Sequence, residues 1–260
     1  MRLEPFPADH ADHDSALRKV RSVRVGRPFA WLAAAWRDLC ANPIASLAYG
    51  MVFAIAGDVI TIFAWRQGHL FIAATSGFFL IAPLLAGGLY EISRRRAAGQ
   101  SSTFLVSLAG GRRNALELVK VGLLLGTIGL LWEQISTVLF ALLAPDIPPD
   151  LLSLLAEMHL APEHRDLLII WILTGGTLAL FVFAITVVSV PLLLDCRTGM
   201  VTAMRTSLRA VNANLRLMVL WGAIVVALTM VGFATLFFGL IVLMPLIGHA
   251  SWHAYRDLVE

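Results

Sequence analysis

The sequence is poor in charged residues and in cysteine. Charged side chains make up 14% of its 260 residues, whereas 58% are hydrophobic and the mean hydropathy is +0.80. A soluble domain, with roughly 45–50% apolar residues, could not cover its surface with so few polar groups. The two cysteines, Cys40 and Cys196, lie in stretches assigned below to the cytoplasm, where thiols stay reduced. A structural disulfide is therefore not expected.

The N-terminal residues lack the apolar core of a signal peptide and are too polar to span a membrane. Residues 1–26 are predicted to form a mobile cytoplasmic tail, and residues 27–260 a single transmembrane domain. The net charge of +3 and the pI of about 9.2 come from basic residues beside long apolar segments. The orientation of membrane spans explains this pattern, so no nucleic-acid partner is expected.

Long apolar segments dominate the rest of the chain. A helix needs about 20 apolar residues to cross about 30 Å of hydrocarbon. The last apolar window, residues 217–255, is too long for one span and is divided near residues 233–239. The predicted spans are residues 44–65, 70–90, 116–143, 167–194, 217–235 and 236–255. The fold class is therefore an all-α polytopic membrane bundle of six transmembrane helices in a lipid bilayer.

Arginine is distributed unequally between the two sides of this bundle. The stretches before the first span, between the second and third, between the fourth and fifth, and after the sixth hold most of the arginines. Arg66 and Arg165 are the exceptions on the other side. The positive-inside rule then places both termini in the cytoplasm of a bacterial inner membrane. Residues 144–166 become an acidic periplasmic loop, with a short helix expected over residues 151–159.

A sequence pattern occurs three times. Related Pro-Leu strings lie in the second, fourth and sixth spans, and a stretch ending in Asn precedes the first, third and fifth, at residues 29–42, 104–114 and 200–214. The simplest description is three hairpins, each preceded by an amphipathic interfacial helix. The alternatives are a cytoplasmic cap beneath the bundle, and chance recurrence of Pro-Leu-Leu in an apolar chain.

The first of these stretches shows what interfacial placement requires. Its apolar face is predicted to hold Phe29, Leu32, Ala33, Trp36 and Leu39, and its opposite, polar face Arg37 and Asp38. Trp31 and Trp36 would anchor the helix at the headgroup boundary, where arginines would meet anionic lipid.

Two carboxyl groups are predicted to lie within spans. Asp58 and Glu133 fall in the outer halves of the first and third spans. An ionised carboxylate at mid-bilayer costs about 2.5–3.5 kcal/mol, so such residues often mark function. If the two face each other, they would form a proton-relay or cation site. Alternatively, each is protonated or bonded to a neighbour such as Thr137, and only stabilises helix packing.

A second polar group is predicted at the cytoplasmic ends of the spans. His249 and His253 are four residues apart and so share one helix face, a spacing that suits a metal or haem ligand. Trp252 lies beside them, while Glu91 and Asp195 end spans at the same expected depth and could supply carboxylate partners. The alternative is an aromatic interfacial belt with polar caps. We call these five residues the predicted polar layer.

Several strings resemble DUF2189, a bacterial family of integral membrane proteins of unknown function that is sometimes labelled cytochrome c oxidase subunit I-like. They are residues 42–50, 83–95, 191–195 and 245–256. The resemblance covers about residues 25–258 and implies a single-domain inner-membrane protein of Proteobacteria without an assigned reaction. It favours the predicted polar layer over the two span carboxyls as the functional group of residues, because the layer lies in the matching strings.

No catalytic set is recognised in the sequence. Residues 110–113 lack the Lys-Ser/Thr of a P-loop, and no Ser, His and Asp arrangement is indicated. The leading hypothesis is a non-enzymatic accessory, assembly or scaffold protein that contacts a membrane-protein partner or itself, without metal or cofactor. The alternative is a small transporter or channel using Asp58 and Glu133. A weaker alternative is haem or copper handling through His249 and His253.

Overall fold

The computed structural model describes residues 18–64, 74–75, 77–78, 82–143 and 165–260. Nearly all of these residues are helical, and this part of the chain contains no strand beyond an isolated bridge between Val20 and Val259. The all-α prediction is confirmed. The helices are α1 Arg27–Ala41, α2 Pro43–Ala64, α3 Gly87–Ala97, α4 Phe104–Leu108, the 3₁₀ helix η1 Ala109–Asn114, α5 Ala115–Leu143, α6 Arg165–Thr186, α7 Ser189–Asp195, α8 Met200–Ala213, α9 Leu215–Ala234 and α10 Leu240–Leu258.

Four helical stretches are long and apolar enough to cross a membrane. They are Pro43–Phe63, Phe104–Leu143, Arg165–Asp195 and Leu215–Ala234, which correspond to the first, third, fourth and fifth predicted spans. Residues 70–73, 76 and 79–81 of the second predicted span lie outside the described residues, as does most of the predicted periplasmic loop with its short helix. The sixth predicted span is helical as α10, but its polar C-terminal half keeps it out of this group.

Helix α10 lies at the centre of the described fold, where it packs against α1, α2, α3 and α9. It buries residues along its whole length, from Leu240 to Leu258, which is typical of a helix surrounded by other helices. Its backbone touches that of α2. A Cβ atom at Gly50 would lie 2.0 Å from the carbonyl oxygen of Ile241, so the two backbones touch there and only glycine fits.

The chain turns between α9 and α10 at residues 235–239, as the length of the last apolar window predicted. Leu236 and Phe237 have φ angles of 52° and 65°, in the left-handed region that costs a residue with a side chain about 1–2 kcal/mol. Phe237 is 8% exposed, because its ring packs over Gly57, and the burial of this ring offsets the cost. Packing therefore stabilises a turn that carries no charged residue.

The three stretches that end in Asn are all helical, as α1, α4 with η1, and α8. Asn42 and Asn214 end α1 and α8 with similar backbone angles, φ near −130° in both, whereas Asn114 is the last residue of the 3₁₀ helix. Asn214 also holds the N-terminal segment, because its side chain accepts from the Val23 N–H at 2.8 Å and donates to the Arg21 carbonyl at 2.9 Å.

Two predictions for α1 are wrong, because Asp38 and Trp31 are both buried. The helix buries Trp31, Ala35 and Asp38, which follow one another at helical spacing, while Phe29 and Trp36 are exposed. Trp31 is therefore not an interfacial anchor. Its ring meets Trp221 edge-on at 5.7 Å, and its Nε1 donates to Asp257 at 2.8 Å. Tertiary contacts decide the orientation of this helix, because α10 and α9 both press on the Trp31 face.

Candidate functional site

A chain of buried hydrogen bonds joins four helices at the arginine-rich end of the bundle. Asp38 of α1 accepts from Ser93 of α3 at 2.5 Å and from His253 of α10 at 2.9 Å. Its second oxygen accepts from Arg96. His249 of α10 continues the chain, as described next. We call these residues, together with Ser46 of α2, the Asp38 network.

The directions of these bonds fix the protonation of His249. Ser93 gives its only hydroxyl hydrogen to Asp38, so its oxygen accepts from His249 Nδ1 at 2.7 Å. A neutral imidazole with Nδ1 protonated has a bare Nε2, which accepts the hydroxyl of Ser46 at 2.9 Å. Ser46 and His249 are fully buried. The chain thus runs from an interior hydroxyl to a carboxylate that contacts the partly exposed Arg96 and His253.

The Asp38 carboxylate is stabilised in its ionised form. Burial raises the pKa of this carboxyl, but hydrogen bonds from His253, Ser93 and Arg96 outweigh burial and lower the pKa to about 2. Three donors around one buried carboxylate are what an interior charge requires. The Asp38 network therefore holds α1, α3 and α10 together through a charged centre.

Ser46, His249 and Asp38 follow the order hydroxyl, imidazole, carboxylate that a nucleophile and its base adopt. The sequence spacing did not indicate this arrangement. Ser93 stands between the imidazole and the carboxylate, and Ser46 has no exposed surface. The arrangement therefore differs from that of a nucleophile and its base in both respects.

Glu91 forms a second centre, on α3. Its side chain is 3% exposed and accepts two hydrogen bonds from Arg94, at 2.7 and 2.8 Å, and one from Arg113 at 2.5 Å. Arg95 lies 4.0 Å away. We call Glu91 and these three arginines the Glu91 cluster. The hydrogen bond to Glu91 raises the pKa of the Arg94 guanidinium, so this side chain stays protonated over the whole physiological range.

Asp195 forms a third, more exposed centre. It accepts from the Tyr255 hydroxyl at 2.9 Å and from Arg256 at 3.1 Å. Trp252 is buried and packs against Tyr255, with ring centroids 5.3 Å apart. Asp195 and Trp252 thus stabilise the packing of α7 against α10.

The predicted polar layer is therefore divided among three centres. The carboxylate that bonds to the histidine pair is Asp38, and neither Glu91 nor Asp195 takes that place. Asp38 was placed on an exposed face in the sequence analysis. The usable signal was its spacing. Ala35 lies four residues after Trp31 and Asp38 three residues after Ala35, which puts all three on one helix face.

The two span carboxyls, Asp58 and Glu133, do not belong to any of these three centres. Asp58 is exposed on α2, and among the described residues it has no hydrogen-bond or ion-pair partner. Glu133 is half-buried on α5 and accepts from Gln134 at 2.5 Å and Thr137 at 3.3 Å. Local bonding of Glu133 is the packing arrangement that the sequence offered as an alternative to a shared proton site.

The histidine pair is hydrogen-bonded to side chains of its own chain. Within the described part of the chain, no group of three or more His, Cys, Asp and Glu side chains could hold a metal ion. His249 uses both ring nitrogens on serines, and His253 Nε2 bonds to Asp38. Both imidazoles are thus engaged as parts of the Asp38 network.

Comparison with known proteins identifies a family for part of the chain. Residues 70–195 match the DUF2189 family, described as a predicted integral membrane protein. The resemblance noted in the sequence is confirmed over these residues, which include Glu91 and Asp195. The strings at residues 42–50 and 245–256 lie outside the match, as do Asp38 and the histidine pair. No curated protein and no solved structure matches the chain significantly.

Proposed function

We propose that this integral membrane protein is a non-enzymatic scaffold or accessory component that works by contact with a membrane-protein partner. In this proposal six helices span the bacterial inner membrane as three hairpins, and both termini lie in the cytoplasm. The single observation that carries it is the internal pairing of the polar groups. Asp38, Glu91 and His249 are each at most 3% exposed and are bonded to side chains of their own chain.

Internal pairing favours a structural role because bound groups are not free for substrate. A buried carboxylate that already accepts three donors would lose those bonds on binding a ligand, at a cost of about 1–3 kcal/mol for each donor left unpaired. The Asp38 network and the Glu91 cluster therefore suit the rigid positioning of α1, α3 and α10.

The surface at the same end of the bundle favours recognition. Phe29 and Trp36 of α1 are 64% and 52% exposed, and Arg37 lies beside them. Aromatic residues and arginine are the types enriched at protein contacts. This aromatic face of α1, defined by Phe29, Trp36 and Arg37, is the surface that we assign to the partner.

The proposal is tested by crosslinking in native membranes. A photoreactive residue is placed at Trp36, on the aromatic face, and in a matched variant at Leu130, which is 70% exposed on the membrane-crossing part of α5. We expect position 36 to give one crosslinked band that contains a single membrane protein at constant ratio, and position 130 to give lipid adducts. Lipid adducts alone at both positions would overturn the proposal.

Membrane topology is tested separately, because the scaffold role and the span count can fail independently. Reporter fusions at Ser101 and Thr206 should be active only as cytoplasmic reporters, since both positions lie on the arginine-rich side. A fusion that reports the periplasm at either position would reverse the proposed orientation.

Transport is the second candidate, and one observation favours it. Asp58 is exposed on an apolar, membrane-crossing helix, where an ionisable side chain is expensive. Ion flux into proteoliposomes that is abolished by Asp58→Asn, and by Glu133→Gln, would support transport. Flux that is absent from the wild-type protein, or unchanged in both variants, would leave the scaffold role as the better explanation.

A further inference from the structure

The Glu91 cluster contains more positive than negative charge. One carboxylate faces three guanidinium groups, from Arg94, Arg95 and Arg113. The nearby Asp195 also attracts Arg94, but it is paired with Arg256, so counting both residues leaves the positive excess unchanged. Arg112, next to Arg113, is exposed and has no hydrogen-bond or ion-pair partner within the described residues.

The fold holds these arginines in fixed positions. A Cβ atom at Gly110 would lie 2.7 Å from Cγ of Glu91, so the absence of a side chain at Gly110 allows η1 to pack directly against the Glu91 side chain. This contact brings Arg113 to the carboxylate across 22 residues of sequence. Arg95 is held in turn by its bond to the Ser101 carbonyl at 2.9 Å. An anion would therefore meet one ordered guanidinium group at Arg113 beside the unpaired Arg112, which reduces the entropy lost on binding.

The position of the cluster relative to the bilayer identifies the kind of anion. Residues Phe104–Leu143 form one of the stretches able to cross a membrane, so η1 and the first turn of α5 lie near its boundary. Leu105, Leu108 and Leu116 on this segment are 75%, 54% and 68% exposed. Exposed leucines beside paired arginines suit a molecule with acyl chains and a phosphate.

We propose that the Glu91 cluster, extended by Arg112, is a binding site for the phosphate group of an anionic phospholipid. Arg112 and Arg113 donate to the phosphate oxygens, and Leu105, Leu108 and Leu116 contact the acyl chains. Glu91 is a positioning residue, since it orders Arg94 and Arg113 and does not touch the lipid. The site would hold whether or not the aromatic face of α1 binds a protein.

The test measures lipid retention by native mass spectrometry of the full-length protein released from nanodiscs. The nanodiscs contain phosphatidylglycerol and phosphatidylcholine in equal amounts. The test variant is Arg112→Gln with Arg113→Gln. The matched control is Arg205→Gln with Arg209→Gln, which removes two exposed arginines of α8 that have no partner among the described residues.

The wild-type protein should retain phosphatidylglycerol in preference to phosphatidylcholine. Each arginine near a membrane surface contributes about a fivefold factor in binding anionic lipid, so the test variant should lose at least about tenfold in retention. The control should change by less than about twofold. An equal loss in both double variants, or equal retention of the two lipids by the wild type, would overturn the site.

Two further arms separate misfolding and free phosphate from lipid binding. Arg112→Gln alone removes no described contact, so it should fold normally and lose about fivefold in retention. Inorganic phosphate added in excess should not displace phosphatidylglycerol, because it lacks acyl chains. Complete displacement by phosphate, or an unchanged Arg112→Gln variant, would show that the lipid is not the ligand.

Discussion

Two sets of carboxyl groups in this protein, with two members each, have opposite surroundings. Asp38 and Glu91, at the arginine-rich end, are each 3% exposed and each accept hydrogen bonds from several donors. Asp58 and Glu133, within membrane-crossing helices, are exposed or half-buried, and the described bonds of Glu133 stay on its own helix. The burial of charge therefore follows the availability of arginine, histidine and serine donors.

The comparison explains how the described fold is stabilised in two ways. The membrane-crossing helices expose many large apolar side chains, such as Leu123 and Leu130, and have few polar bonds between helices. In lipid these surfaces need no cover, so packing of small residues positions the helices. At the arginine-rich end, water and headgroups compete for polar groups, and buried charge pairs specify which helices meet.

The largest effect is expected where the Asp38 network is broken. Asp38→Asn removes the charge that Arg96 and His253 contact and should lower the free energy of unfolding by about 3 kcal/mol, since the breaking of a buried pair costs about 3–5 kcal/mol and Arg96 here reaches solvent. Asp58→Asn is the matched change in the other set and should cost less than about 0.5 kcal/mol. Equilibrium unfolding in mixed micelles measures both. Equal losses would show that the two sets of carboxyls do not differ.

The next effect concerns the contact that aligns α2 with α10. Gly50→Ala places a methyl group against the backbone of Ile241 and should destabilise the protein by about 1–3 kcal/mol, because neither backbone can move without separating Ser46 from His249. Gly126→Ala is the control, since no described atom lies within 4 Å of the added carbon. That variant should be neutral or more stable by up to about 1 kcal/mol. Thermal unfolding in detergent would reveal a misplaced contact if Gly50→Ala were also neutral.

The pH dependence of stability should separate the two sets again. The pKa of Asp38 is about 2 in the folded protein, below the ordinary value of 3.8. Its stabilising contribution is therefore complete above about pH 4 and is lost as the pH falls toward 2. The loss should amount to about 1–2 kcal/mol, after allowance for solvent near Arg96 and His253. Asp38→Asn should remove this part of the pH dependence, and Asp58→Asn should leave it unchanged. A wild-type curve identical to that of Asp38→Asn between pH 4 and 2 would contradict the assignment.

The sequence predicted the helices of this protein better than their contacts. Lipid imposes a minimum length on apolar segments, so the spans at α2, α5, α6 and α9 could be read from hydropathy alone. The turn at residues 235–239 followed from length as well. The predicted second span is only partly described and is not among the four stretches able to cross a membrane, so it stays a prediction. Each of these inferences depends on local composition, which a single sequence contains.

The Asp38 network could not be predicted in the same way. Ser93, Arg96 and His253 are separated from Asp38 by 55, 58 and 215 residues, and no local pattern relates them. A polar residue on an amphipathic helix is usually solvated, which is why Asp38 was expected on the outer face. The helix turns this side inward because Trp31, on the same face, packs on Trp221 and bonds to Asp257. Burial of a large aromatic ring outweighed the cost of burying one carboxylate that has three donors.

The smallest effect is expected at the contact between the chain ends, which tests where the buried set stops. Asp257 accepts from Arg27 at 2.6 and 2.9 Å and from Trp31, while Glu260 pairs with Lys19 and Arg21 at the surface. Asp257→Asn should cost about 1 kcal/mol, because its partly exposed ion pair is screened but the Trp31 N–H loses a charged acceptor. Glu260→Gln should leave the unfolding midpoint unchanged, because ion pairs between solvent-exposed side chains contribute little to stability. Thermal unfolding at low and high salt measures both variants. A larger loss of stability from Glu260→Gln than from Asp257→Asn would show that the stabilising polar contacts extend to Glu260.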